Sequence, residues 1–348
     1  MIKVLVVEDS PVAREFLIHL LNSAPGIQVV GAVDDGREAL EAAREKHPDL
    51  ITMDIHMPEM DGFATTRRIM ENHPVPIVIV SGSTSVSEAA TVFRAIEAGA
   101  LAVISRPHGF GHPEHESSVK ELIQTVRLMS EIKVVRRWPR QVKEAVAANS
   151  DFSIQPVLPE IEITAIGAST GGPLALQTIL SSLPKSYPIP IVIVQHIARG
   201  FTEGFGRWLD ESSDITVRIA SDGEPLHPGN AYLAPEGCHM ITFNRDRLAL
   251  VDDPPRNGLR PSVSHLFESV ARVFGENSVG ILLTGMGRDG ARELKLMRDS
   301  GAVTIAQDKD SSIIHGMPGE AISLGAATYV LPPKKIAKLL TSLPRKKR

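Results

Sequence analysis

This sequence of 348 residues has a single cysteine, no long apolar run and no excess of positive charge. The one cysteine, Cys238, excludes a disulfide within the chain and is typical of a protein in a reducing cytosol. No apolar run approaches the roughly 20 residues that cross a bilayer, and the N-terminus begins a predicted strand rather than a signal peptide. We therefore expect a cytoplasmic protein without direct membrane insertion.

The charge and the glycine pattern exclude two further classes. A formal net charge of −4 leaves no basic footprint for nucleic acid, so no nucleic-acid partner is expected. The dinucleotide-binding fingerprint G-x-G-x-x-G is absent. A hydrophobic content of 43% over this length instead predicts a globular chain of two ordinary domains.

The first half alternates between apolar strands and amphipathic helices five times, which predicts a flavodoxin-like (βα)5 domain with a parallel sheet. Ligands of such sheets bind at the carboxyl ends of the strands. Polar residues fall at those predicted ends: Glu8, Asp9, Asp54, Ser81 and Arg106.

The three carboxylates of that set repel one another unless a cation lies among them. Oxygen ligands suit Mg²⁺, and a carboxylate beside such an ion can attack a phosphoryl group. Each acid taken alone also fits a helix cap or a solvated loop. The whole set at separate strand ends favours a site.

Residues 1–130 resemble a response-regulator receiver domain, and residues 54–62 (DIHMPEMDG) resemble its phosphorylation loop. The resemblance implies that Asp54 is the phosphoacceptor and that a cognate histidine kinase is the phosphodonor. It implies Mg²⁺ ligands and phosphoryl contacts as follows: Glu8, Asp9, Asp54 and the backbone of His56 for the metal, and Ser81 and Arg106 for the phosphoryl group. Two residues depart from the family, because Arg106 replaces its lysine and Val103 its usual aromatic.

The loop and linker after Arg106 leave two points open. A polar group of His108, His112, His115 and Glu116 favours a solvated loop, with a transition-metal site as the alternative. The fifth helix is predicted over 119–135 and on to Trp138, where Pro139 stops it. We predict a linker at 131–158 and a second domain at 159–348.

The second domain opens with an apolar strand that stops at Gly167, and Pro173 begins a periodic helix. Ser169 therefore lies at a strand-to-helix turn, in a G-x-S-x-G pattern typical of an exposed nucleophile. Taken alone, this pattern also fits a tight turn or a phosphate cradle.

Two more polar residues follow predicted strands of this domain. His196 comes after an apolar strand and could act as a general base, although a lone histidine is more often a core or loop residue. Asp289 follows another apolar strand, where an N-cap is the simpler interpretation. Together with Ser169, they place a nucleophile, a base and an orienting carboxylate at one sheet edge. Short strands within 216–252 predict hairpins added to a doubly wound, mostly parallel α/β core.

These segments resemble the catalytic domain of the CheB-type chemotaxis receptor methylesterases. The matching strings are IGASTGG at 166–172, QH at 195–196, RPSV at 260–263, TGMGRDG at 284–290 and GMP at 316–318. His315, before the last string, replaces the aromatic usual in the family and could supply a second base.

The resemblance implies a hydrolase that removes methyl esters from glutamate side chains of chemoreceptor cytoplasmic helices and deamidates receptor glutamines. Ser169, His196 and Asp289 would be catalytic, the backbone amides of Met286 and Thr170 would bind the oxyanion, and no cofactor is expected for the ester chemistry. The alternatives are a receiver-switched binding module with an inactive hydrolase-like domain, a receiver-controlled DNA-binding regulator, and a thiol nucleophile at Cys238.

Overall fold

The computed structural model describes residues 1–82, 86–134 and 160–343. The chain divides into two compact units, 1–154 and 155–348. The predicted linker, 131–158, lies almost wholly outside the described residues, so the three domain bounds stay predictions. Within the described parts of the chain, no helix is both long enough and apolar enough to cross a membrane.

The first unit is a five-stranded sheet of order β2-β1-β3-β4-β5 in which every pairing is parallel. This confirms the predicted (βα)5 fold. The strands are β1 (Ile2–Val7), β2 (Ile27–Val33), β3 (Leu50–Met53), β4 (Ile77–Ser81) and β5 (Ala102–Ser105). The helices are α1 (Pro11–Ser23), α2 (Gly36–Lys46), α3 (Gly62–Asn72), α4 (Val86–Ala98) and α5 (His115–Ser130).

Local sequence explains where these helices begin. Ser10, Asp35 and Asp61 cap α1, α2 and α3, since each side chain accepts a hydrogen bond from the backbone of the first turn. The predicted course of the fifth helix was wrong. Helix α5 begins at His115 and ends at Ser130, although the apolar periodicity continues beyond it; Trp138 lies outside the described residues.

The second unit is a seven-stranded sheet of order β14-β13-β12-β6-β7-β9-β8, again parallel throughout. Its strands are β6 (Ile163–Ala168), β7 (Ile191–Gln195), β8 (Thr216–Ile219), β9 (Asn230–Leu233), β12 (Ser278–Leu282), β13 (Val303–Gln307) and β14 (Tyr329–Leu331). An antiparallel hairpin, β10 (His239–Thr242) with β11 (Leu248–Val251), is inserted into this chain order. The predicted architecture is thus confirmed.

The first five helices of the second unit contact strands of this sheet, and the last one packs on the first. The helices are α6 (Gly172–Leu180), α7 (Thr202–Glu211), α8 (Val263–Phe274), α9 (Ala291–Asp299), α10 (Met317–Ser323) and α11 (Pro333–Ser342). Helix α8 is buried along most of its length, and Val263, Phe267 and Val270 lie in a hydrophobic core cluster of this unit. This burial holds the beginning of α8 firmly against the carboxyl edge of the sheet.

Two details of the second unit differ from the sequence prediction. Only the last two strands within 216–252 form an antiparallel hairpin, whereas β8 and β9 pair in parallel at the sheet edge. The glycines and proline at 316–319 indicate a turn in the sequence, but these residues form the beginning of α10, because Pro318 suits the start of a helix. Strand β14 is a three-residue addition at the other edge.

Candidate active site

Three neighbouring strands bring Ser169, His196 and Asp289 to one edge of the second sheet. Strand β6 lies between β12 and β7, and the strand ends are level, since Leu282 pairs with Gly167 and Ala168 with Gln195. Ser169 donates its backbone N–H to Thr284 (3.0 Å), and His196 donates to Ala168 (2.9 Å). The connections that follow the three strands therefore begin side by side.

The turn at Ser169 depends on two glycines. Gly171 has φ +80°, a left-handed conformation that an L side chain rarely adopts. Gly285 lies against the serine, where a Cβ atom would come within 2.7 Å of the Ser169 Cβ. The β12 connection can therefore pass directly beside the serine.

His196 and Asp289 form a hydrogen bond across 93 residues of sequence, with 2.9 Å between Nε2 and Oδ2. Asp289 is 4% exposed, so most water is excluded from this contact. The other ring nitrogen, Nδ1, makes no hydrogen bond to any part of the chain that the structure describes, and neither does the Ser169 hydroxyl. An imidazole held in this way has one nitrogen left for a proton from a nucleophile.

The start of α8 surrounds the Asp289 carboxylate with donors. Val263 donates its backbone N–H to Oδ2 at 2.7 Å. Ser264 donates to Oδ1 through its hydroxyl at 2.6 Å and its backbone at 3.2 Å. Burial by itself would raise the pKa of Asp289. The hydrogen bond and the charge of His196, together with the hydrogen bonds from Ser264 and Val263, outweigh burial and lower the pKa below its ordinary value. Asp289 is therefore held as a carboxylate.

A second carboxylate lies behind this contact. Glu293 Oε2 is 2.7 Å from the Ser264 hydroxyl oxygen, and its Oε1 accepts a hydrogen bond from Arg256 at 2.8 Å. Ser264, Glu293 and Arg256 are functional residues that could not be predicted from the sequence alone. The available signal was the string at 260–263, which matched a family motif immediately before Ser264.

Gln195 connects the turns that carry the serine and the histidine. Its Nε2 donates to the backbone oxygens of Ser169 (2.9 Å) and His196 (2.8 Å). A Cβ atom on Gly172 would come within 2.1 Å of Gln195 Oε1 and 2.8 Å of the Ala168 Cβ, so the glycine leaves room for this bridge. Gln195 belongs to a family string in the sequence, but nothing in the sequence indicates that it bridges these two turns.

The two predicted oxyanion donors flank Ser169. Thr170 follows it in the chain, and Met286 follows Gly285 on the neighbouring connection. Among the described residues, neither backbone amide donates a hydrogen bond to the protein. Both amides are therefore available to an oxyanion.

Two other candidates from the sequence, the thiol of Cys238 and the imidazole of His315, are less suited to the reaction at this edge. Burial raises the pKa of Cys238, which keeps it a thiol rather than a thiolate nucleophile. His315 pairs with Gly285 in an isolated bridge, and its Nδ1 is 3.3 Å from the Ser312 hydroxyl. Burial and the charge of Lys309 lower the pKa of His315.

In the first unit, the predicted acidic cluster is present at the carboxyl edge. Glu8, Asp9 and Asp54 present oxygens that all lie within 4.8 Å of one another. Burial, followed by the charge of Asp54, raises the pKa of Glu8 to about 7. Burial also raises the pKa of Asp54, although Arg106 and the backbone amides of Ile55 and His56 oppose this. Such crowded carboxylates fit a divalent cation.

Arg106 contacts Glu8 more closely than Asp54. One guanidinium nitrogen lies 2.9 and 2.8 Å from the two oxygens of Glu8, and 3.5 Å from Asp54. A Cβ atom on Gly82 would be 2.7 Å from this guanidinium, so the glycine leaves room for the arginine. Ser81 is buried at the end of β4, and its carbonyl accepts the Arg106 N–H at 2.8 Å.

The histidine-rich loop after Arg106 is arranged differently from a usual metal site. Ligand atoms of His108, His112 and Glu114 lie within 4.8 Å of one another, without His115 or Glu116. However, the rings of His108 and His112 stack at 4.0 Å with an angle of 13°. Because imidazole lone pairs lie in the ring planes, stacked rings hold them in two nearly parallel planes about 4 Å apart, which suits a shared ion poorly, so the solvated loop is the better interpretation.

The fold and the site define a two-unit protein in which a phosphoacceptor-type receiver precedes an α/β domain of the serine-hydrolase type. Residues 4–112 match the response regulator receiver domain family, and residues 164–340 match the CheB methylesterase family. The chain belongs to the CheB methylesterase family.

Full-length relatives agree with this assignment. The chain is 56% identical to a protein-glutamate methylesterase/protein-glutamine glutaminase of Nitrosospira multiformis, over 99% of this chain and 97% of the relative. A Geobacter metallireducens protein of the same name is 54% identical over the whole of both chains. The CheB methylesterase catalytic domain of Thermotoga maritima is 38% identical with a TM-score of 0.50, covering 52% of this chain and 97% of that domain.

Proposed function

We propose that this chain hydrolyses methyl esters on glutamate side chains of chemoreceptor helices and deamidates selected receptor glutamines, under control of phosphorylation at Asp54. The observation that carries the proposal is the 2.9 Å contact between His196 and Asp289 beside the Ser169 turn. The names of the full-length relatives support the same reaction and the same substrate class.

The first half of the reaction forms an acyl-enzyme. Ser169 Oγ attacks the γ-carbonyl carbon, and His196 Nδ1 takes the hydroxyl proton while Asp289 stabilises the resulting imidazolium. The amides of Thr170 and Met286 bind the oxyanion; losing one such donor typically costs about a hundredfold or more in rate. The tetrahedral intermediate expels methanol, or ammonia from a glutamine, with the proton held by His196.

The second half releases the product. Water attacks the acyl carbon, His196 removes a proton from it, and Ser169 Oγ leaves as the hydroxyl once His196 returns that proton. The product is a glutamate carboxylate from either substrate. These steps use the side chains and amides of this chain alone.

In the receiver, we assign Asp54 as phosphoacceptor for a cognate histidine kinase. Glu8, Asp9 and Asp54, with the backbone of His56, would hold Mg²⁺, which when bound neutralises the crowded carboxylates and the phosphoryl oxygens. Ser81 and Arg106 would contact the phosphoryl group through a hydroxyl and a guanidinium. Phosphorylation then shifts the population of receiver conformations, which sets the hydrolase rate.

An inactive hydrolase-like domain is the weaker alternative. A domain that only binds a partner does not need an ionised Asp289 buried beside an imidazole, since burying a carboxylate costs free energy of folding. The proposed enzyme uses that carboxylate in every turnover.

The substrate side of the proposal can be tested with the full chain and a methyl-esterified cytoplasmic fragment of a chemoreceptor. Methanol should appear in proportion to the methyl groups, and an unmethylated fragment carrying glutamines should release ammonia. A small acyl-phosphate donor with Mg²⁺ should raise both rates, and Asp54→Asn should lose that increase. No methanol from the methylated fragment, with or without the donor, would refute the proposed reaction.

A further inference from the structure

Ser264 contacts two carboxylates but has a single hydroxyl hydrogen. Its Oγ is 2.6 Å from Asp289 Oδ1 and 2.7 Å from Glu293 Oε2, and it accepts the backbone N–H of Gly290 at 3.1 Å. A hydroxyl can donate to only one acceptor at a time. The two carboxylates therefore compete for one proton donor.

The residues around Ser264 hold its hydroxyl and both carboxylates in place. Ser264 is 2% exposed, and Glu293 is held from its other side by Arg256, which also pairs with Glu268. Gly290 follows Asp289 directly and has φ +81°; a Cβ atom there would approach Val263 to 2.4 Å. The Ser264 contact thus links α8 to the loop that carries Asp289.

We propose that Ser264 is a positioning residue for the hydrolase reaction, and that Glu293 sets how fully its hydroxyl is donated to Asp289. This inference rests on the proposed function. With Oδ1 held by the Ser264 hydroxyl at 2.6 Å and by the more distant Ser262 hydroxyl at 3.4 Å, Oδ2 is directed to His196 Nε2. The strength of the Ser264 donation also controls how much negative charge Asp289 presents to the imidazole.

Opposite substitutions should move the pH dependence in opposite directions. Ser264→Ala removes the hydroxyl donor and keeps the backbone N–H of residue 264 on Oδ1, so Asp289 presents more charge, the imidazolium is held more tightly, and the acid limb of the pH–rate profile moves to higher pH. Glu293→Gln can donate an amide hydrogen to Ser264 and still accept from Arg256. The serine hydrogen is then committed to Asp289, a negative charge is lost, and the acid limb moves to lower pH.

Other charged and titratable groups lie near the beginning of α8 and stay the same in all the variants. Ser262 donates its N–H to His239 Nδ1 at 3.2 Å, and His239 stacks on His265 at 3.7 Å. Arg256 and Glu268 lie behind Glu293. The shift to higher pH in Ser264→Ala is therefore specific to the Ser264 contact, whereas the lost charge of Glu293 contributes to the opposite shift in Glu293→Gln.

Ser269 provides a matched control on the same helix. It is 1% exposed, bonds the backbone of Leu266 and Thr242, and contacts neither Asp289 nor Glu293 in the described residues. Ser269→Ala removes the same atom from the same helix. It reports the cost of losing a buried serine hydroxyl without touching the carboxylate.

The test measures methanol release by the full chain from a methyl-esterified receptor fragment across pH. Ser264→Ala should lower kcat by about tenfold to a hundredfold with KM unchanged, because a hydrogen bond to a charged group is lost. Ser269→Ala should keep the kcat and the acid limb of the parent. Equal kcat and equal acid limbs for the two alanine variants would overturn the positioning role.

Two further results separate this inference from the proposed function. If Ser264→Ala does not fold, Glu293→Gln decides, since an acid limb unmoved or moved to higher pH would overturn the inference. Ser169→Ala, measured beside them, should be inactive. Full activity of Ser169→Ala would refute the proposed function, whereas an inactive Ser169→Ala with a parent-like Ser264→Ala would refute the positioning role alone.

Discussion

His196 Nε2 and Asp289 Oδ2 lie 2.9 Å apart, although 93 residues separate them along the chain. The contact forms because β7 and β12 lie on either side of β6, so the loops that follow all three strands share one edge. Its energetic support comes from α8, whose first residues donate to the same carboxylate. The geometry of this pair leads to a first prediction.

His196 and Asp289 should act as one unit. Asp289→Asn and His196→Ala should each lower kcat by about a thousandfold or more, because either change leaves Ser169 without an effective base. The double variant should be no slower than the slower single variant. Methanol release by the three variants measures this, and losses that multiply would show two independent roles.

Gly285 should be required for the serine turn. In Gly285→Ala, the new methyl group would lie 2.4 Å from Met317 Sδ and 2.7 Å from the Ser169 Cβ, so the serine must shift. Such displacement should lower kcat by about tenfold or more. Gly109→Ala, whose Cβ atom would meet nothing within 4 Å, is the control. Unchanged kcat in Gly285→Ala would mean that the turn tolerates the shift.

Arg106 should compete with Mg²⁺ for Glu8. Arg106→Lys replaces a guanidinium that reaches both Glu8 oxygens with a compact ammonium, so Mg²⁺ should bind more tightly, by about tenfold. Calorimetric titration of the full chain with Mg²⁺ checks this without any activity assay. Arg37→Lys, an exposed arginine paired with Glu59, should leave the affinity unchanged. Weaker binding in Arg106→Lys would show that the arginine assists the metal.

Glu8 should make stability depend on pH in an unusual direction for an acid. Its pKa is raised from 4.5 to about 7 in the folded chain, so its contribution to stability is fully present below pH 4.5 and is lost as pH rises through 7. This corresponds to about 3 kcal/mol at most. Without Mg²⁺, Glu8→Gln should therefore be more stable than the parent at pH 8 and similar at pH 4.5.

Denaturant unfolding of the full chain at the two pH values measures the effect. The exposed Glu15→Gln on α1 removes one charge elsewhere in the receiver and should change stability little at either pH. A parent that is more stable than Glu8→Gln at pH 8 would mean that the Arg106 contact outweighs burial.

The parts of the fold that follow from local signals could be predicted from the sequence. Asp35, Asp61 and Ser262 cap α2, α3 and α8, and a short polar residue of this kind before an apolar-periodic run is a local signal that the sequence itself carries. The rule that ligands bind at strand ends identified Ser169, His196 and Asp289 as candidates, because it needs only the position of each residue after an apolar strand.

Other parts depend on packing between distant segments. The Ser264–Glu293 contact joins α8 to α9, and no periodicity in either helix indicates it. The parallel pairing of β8 with β9 likewise depends on tertiary packing, since short apolar strands separated by turn residues are equally compatible with an antiparallel hairpin. The preference of Arg106 for Glu8 over Asp54 is a matter of distance that residue type does not specify.

The most direct test of the central claim is methanol release from a methyl-esterified receptor fragment by the full chain and by Ser169→Ala. Ser181→Ala, which removes the exposed serine that follows α6, is the matched control. We expect Ser169→Ala to release no methanol above the uncatalysed rate and Ser181→Ala to match the parent. Methanol release by Ser169→Ala at the rate of the parent would contradict the account.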